Sequence, residues 1–158
     1  VTGVQTCALP IFFDWIYDDG GYVHRMVGYA AAVVVMLRLA WAGVVGGLGS
    51  LVPSPSRTYS YVRLLAQGRP PRTNGHDPLG LWMVWCLWLL VLALGVTGWM
   101  TRLDAFWGDD DLEAVHSALA NALAAAVVVH VAAVTVMSWL WRENLPAAMV
   151  SGVKRPLD

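Results

Sequence analysis

Three long apolar runs decide what this chain can fold into. The first extends from about Tyr22 to Leu48, with Arg38 as the one charge deep inside it. The second, from about Leu79 to Met100, contains no charge, and the third, from about Val115 to Trp141, contains no Asp, Glu, Lys or Arg. About 20 mostly apolar residues suffice for a helix to cross the hydrocarbon of a bilayer. None of the runs has the polar face that a helix of a soluble bundle needs. The composition agrees: 58% of the residues are hydrophobic and 13% charged, with a mean hydropathy of +0.56. Soluble domains carry roughly 45–50% apolar and about 25% charged residues. The expected fold is therefore all-α, an integral membrane bundle with three spanning helices. Trp99, Trp107, Trp139 and Trp141 fall at the ends of the runs, where an aromatic belt sits.

Charge gives the expected topology. Arg57, Arg63, Arg69 and Arg72 face a single Asp77 in the loop 50–77, and Arg142, Lys154 and Arg155 follow the third run. Asp104, Asp109, Asp110, Asp111 and Glu113 crowd the other connection, and Asp14, Asp18 and Asp19 precede the first run. Because basic loops stay inside, the loop 50–77 and the C-terminus are expected in the cytoplasm. The first and third spans then run parallel. Pro53, Pro55, Pro70 and Pro71 punctuate the long loop, and Tyr59–Gln67 reads as a short interfacial helix. A net charge of −1 gives no reason to expect a nucleic-acid partner. Cys7 and Cys86 have no metal-type spacing.

Residues 1–11, VTGVQTCALPI, read as translated sequencing-adapter read-through rather than as a signal peptide, since no basic segment precedes a long apolar run. They are set aside as non-native. On this reading the natural protein extends upstream and the chain is a fragment; a short natural N-terminus is the alternative.

Four histidines carry the chemistry. Ionisable residues inside spans are costly and mark functional sites, and imidazole is a common axial ligand of haem iron. His116 and His130 lie 14 residues apart on one expected helix. They return to within about 40° of the same face and are separated by about 21 Å, a spacing that places two haems across a bilayer. His24 opens the first span on the side where His116 opens the third, so the two can clamp one iron. Arg38 follows His24 by the same 14 residues. It sits at the depth of His130, where a guanidinium can pair with a haem propionate. Gly28 and Ala120, each one turn from a histidine, leave room for a porphyrin. His76, in GHDPLG, is read as a non-ligand that lines a quinone pocket, contacts a propionate or caps the following helix. The competing reading makes the histidines helix-packing residues of a haem-free structural or assembly subunit. A transporter ranks last, because no span is visibly broken or carries paired acids.

The strings VHRMVGYAAAVVVMLRLAWAGVVG, LVPSPSRTYSYVR, GRPPRTNGHDPLG, LEAVHSALANALAAAVVVHVA and WRENLPAAMVSGVKRP resemble the bacterial cytochrome b561 family. That family includes the b-type cytochrome subunits of Ni,Fe-hydrogenases. The resemblance runs from about Asp18 to Pro156 and defines residues 12–158 as a cytochrome b561-like transmembrane domain. It implies a four-helix bundle with two b haems that exchanges electrons with quinone. His24 and His116 would be the axial ligands of the outer haem and His130 a ligand of the inner one. The family's first helix, which normally carries the remaining inner ligand, is not in this sequence, and Phe12–Trp15 reads as a remnant of the linker after it. At least the outer haem can then form here. Ser117 stands where the family often has Glu.

The expected function is electron transfer between a quinone pool and a redox partner, of hydrogenase or cytochrome c type, in the bacterial inner membrane. Such a chain is an electron-transfer subunit of an oxidoreductase rather than a stand-alone catalyst. The acidic connection is either a docking surface for a basic partner or a solvated loop.

Overall fold

The computed structural model describes residues 21–45, 48–68 and 78–140. They form helices α1 (Tyr22–Val44), α2 (Leu48–Leu51), α3 (Pro55–Ala66), α4 (Pro78–Met100) and α5 (Asp110–Leu140), with a single 3-10 turn at Asp104–Phe106 and no strand among them. The all-α expectation is met. Helices α1, α4 and α5, of 23, 23 and 31 residues, are long and apolar enough to cross a membrane, with mean hydropathies of 1.8, 2.3 and 2.1 over an 18-residue stretch of each.

Helix α4 is the centre of the bundle and packs against both α1 and α5. Leu87 of α4 meets Leu123 and Val127 of α5, with Met83, Leu90, Val91 and Leu94 around them. Ala31, Val35 and Ala42 are the buried residues of α1. The spacing of Ala31, Val35 and Ala42 puts them on one helical face. At Gly95 an added Cβ would lie 3.0 Å from Ala32 Cβ, so α1 and α4 approach closely through two small residues. The outward faces are as apolar as the inward ones: Leu37, Trp41, Val129 and Trp139 are all exposed. A helix apolar all round is built for lipid on its free side.

Two boundaries differ from the sequence expectation, each for a local reason. Helix α5 begins at Asp110, ahead of the apolar run at 115. Asp109 Oδ1 accepts the backbone N–H groups of Asp111 and Leu112, both at 3.1 Å, and Asp110, Asp111 and Glu113 fill the first turn. A carboxylate cap and an acidic first turn stabilise a helix start, so α5 emerges from the apolar layer before it ends. Gly108, at φ +74, makes the turn into this cap. At the other boundary, α1 ends at Val44 rather than near Leu48, where the sequence becomes Gly-rich and helix propensity falls.

The expected short helix of the loop is present as α3, somewhat earlier than read, because Pro55 at its first turn sets its start. Two indoles of α4 tie the loop to the bundle. Trp85 Nε1 donates to Leu51 O at 2.7 Å, and Trp82 Nε1 donates to Thr58 Oγ1 at 3.1 Å.

Candidate functional site

The N-terminal half of α1, the C-terminal half of α4 and the N-terminal half of α5 line a partly open cavity of about 600 Å³. That volume lies within the usual range for small-molecule and cofactor sites. His24 and His116 both line it, with Gly28 and Ala120 one turn along from each. Val91, Leu94, Leu123 and Val127 close its apolar floor. Arg25 and Arg102 bring two positive charges to it, against the one negative charge of Glu113.

The two imidazoles are neighbours in an edge-on arrangement, with ring centroids 6.2 Å apart and planes at 68°. With metal–imidazole bonds of about 2.0–2.1 Å, the length seen at zinc–histidine sites, two rings sharing one metal have centroids roughly 6 Å apart. The pair therefore stands at the separation that a single metal between them needs. Among the described residues no group of three or more His, Cys, Asp or Glu side chains converges. Two imidazoles alone suit a metal that brings its own equatorial ligands, as porphyrin iron does.

The protein around the pair fits such a group in two further respects. A Cβ built at Gly28 would meet nothing within 4 Å, so that wall of the cavity is open space. The Nε of Arg25 is buried and has no hydrogen-bond partner among the described residues. A buried, unsatisfied charged donor costs free energy, and a carboxylate such as a haem propionate would satisfy it.

His116 is seated by two adjacent residues of α4. Its Nδ1 lies 2.8 Å from Thr97 Oγ1. Its ring rests on Gly98, where an added Cβ would stand 3.1 Å from Cε1 and 3.7 Å from Nδ1. The guanidinium of Arg102 lies 6.0 Å from the Trp107 ring centroid, within cation–π range.

His24 and His116 are thus brought together, and the small residues beside them are where the sequence put them. Half-buried His130 lies farther along α5 and Arg38 is exposed on α1; neither lines this cavity. His76 lies outside the described residues. Sequence reasoning passed over Thr97, Gly98, Arg25 and Arg102. Thr97 did leave a signal, since it is the only hydroxyl residue in α4, and a polar side chain in an apolar span points to a partner.

The chain matches the family model described as prokaryotic cytochrome b561 over residues 5–152. The match takes in residues 5–11 of the segment set aside above. No curated protein and no solved structure matches it. With the match covering nearly the whole sequence, and three membrane-length apolar helices in the fold, this chain belongs to the prokaryotic cytochrome b561 family.

Proposed function

We propose that this membrane-embedded cytochrome carries electrons through a bis-histidine b haem between a quinone pool and a redox partner in the bacterial inner membrane. The observation that carries the reading is the pairing of His24 and His116, 6.2 Å apart, on the lining of a cavity with cationic side chains on its wall. Haem b, when bound, supplies a one-electron iron couple.

His24 and His116 would hold the haem, whose one-electron iron couple suits electron transfer. The apolar floor of the cavity would shield one side of the group from water, and such burial is one lever on redox potential. Arg25 and Arg102 are suited to the two propionates, because a guanidinium pairs with a carboxylate through parallel N–H donors.

For a second, inner haem, His130 is the proposed ligand and Arg38 the proposed propionate contact. His76 is proposed to border the quinone or a propionate. The loop 50–77 and the C-terminus are assigned to the cytoplasmic side, and a hydrogenase or a c-type cytochrome is the proposed partner class.

The test is a dithionite-reduced minus oxidised spectrum of the purified chain in detergent, beside His24→Ala and His116→Ala. A sharp b-type α band in the parent that is lost in both variants is expected. A band that survives both substitutions would assign the haem to other ligands.

A further inference from the structure

We infer that Thr97 is a positioning residue that selects the tautomer of His116, keeping the proton on Nδ1 and turning the lone pair of Nε2 toward the cavity. This rests on the haem reading above for its consequence, but the hydrogen-bond logic is independent of it. Thr97 Oγ1 lies 2.9 Å from Ala93 O and 3.3 Å from Leu94 O, both backbone carbonyls of its own helix, and 2.8 Å from His116 Nδ1. A hydroxyl has one proton to donate and two lone pairs to accept with. A carbonyl oxygen can only accept, so the hydroxyl proton goes to the α4 backbone. Toward His116 the oxygen is then left as an acceptor, and the ring must supply the proton. In a neutral imidazole that fixes Nδ1–H and leaves Nε2 as the only ligating nitrogen.

Gly98 completes the seat. The ring lies against its bare Cα face, 3.1 Å from where a Cβ would be, so the bond to Thr97 forms without a steric opponent. One dipeptide of α4 thus sets both the orientation and the protonation site of a side chain carried by α5.

A group that accepts the second N–H of a ligating imidazole raises the basicity of the ligand, and its loss typically weakens metal binding by about 10- to 100-fold. A more basic ligand favours ferric over ferrous iron. If Thr97→Val weakens the ferric form tenfold more than the ferrous form, the midpoint potential rises by about 59 mV. Valine keeps the shape of threonine but has no acceptor, whereas Thr97→Ser keeps the acceptor.

The experiment compares the detergent-solubilised parent chain, Thr97→Val and Thr97→Ser by haem affinity, potentiometric titration and low-temperature EPR. A second readout is ¹⁵N NMR of the His116 ring in the haem-free chains. The expected result is a higher potential and shifted g-values in Thr97→Val, parent behaviour in Thr97→Ser, and an Nδ1–H tautomer in the haem-free parent that is lost in Thr97→Val. Unchanged potential and g-values in a haem-loaded Thr97→Val overturn the inference. If Thr97→Val takes up no haem, the ring tautomer decides: the same tautomer in parent and variant overturns the inference, and its loss in the variant alone supports it. A parent spectrum that is indifferent to His116→Ala would sink the haem reading, and the NMR comparison would still judge Thr97 by itself.

Discussion

Replacing Gly28 by alanine should move stability and cofactor binding in opposite directions. Gly28 lies inside α1, one turn after His24, on the wall of the cavity. A Cβ there would touch nothing within 4 Å of the protein. Glycine within a helix costs roughly 0.5–1 kcal/mol relative to alanine, so the haem-free variant should be more stable by about that amount. A cofactor packed against the same wall would meet the new methyl. Overpacking a filled site by one carbon typically costs about 1–3 kcal/mol. At 1.4 kcal/mol per tenfold, that is about a 5- to 150-fold loss of haem affinity. Thermal unfolding of the haem-free chains, followed by circular dichroism, and haem titration, followed by Soret absorbance, give the two numbers. A variant that melts higher and binds haem with parent affinity would refute the placement of the cofactor against α1. A variant that melts lower would refute the open space at Gly28.

At Gly98 the added methyl meets protein instead: 3.1 Å from His116 Cε1, it should displace the ring by a few tenths of an ångström. Gly98→Ala should therefore weaken haem binding by about 1–3 kcal/mol and alter the low-spin EPR signal, both readable beside the Gly28 variant. Trp85→Phe removes the 2.7 Å bond to Leu51 O and should free that connection by about 1 kcal/mol, seen as faster amide exchange between Leu51 and Thr58 with the helical signal retained.

The spans were legible because a lipid-facing helix has to be apolar on every side, and soluble helices rarely hold so long a run without a polar face. Their ends were less so. Asp109 and the acidic turn extend α5 beyond its apolar stretch by capping chemistry that hydropathy does not register. The meeting of His24 and His116 followed from parallel spans opened by histidines at the same end, and the 6.2 Å separation of the rings agrees. Helical spacing also put Arg38 on the face of His24, but spacing fixes only an azimuth within one helix. What covers that face depends on neighbours, and Arg38 is exposed. Thr97 and Gly98 belong to a third helix, and no spacing within α1 or α5 could assign them to His116.

The indole bonds at the far end of the bundle have a mechanical meaning for the histidine pair. From Val44 back to His24, α1 is a rod about 30 Å long. The loop segment that follows its far end is fastened to α4 through Leu51 and Thr58. Over a lever arm of that length a tilt of only about 2° carries the imidazole roughly 1 Å, a large fraction of a metal–ligand bond. The His24–His116 gap is thus sensitive to how the opposite end of the bundle is held, where two tryptophans that do not line the cavity fasten the loop.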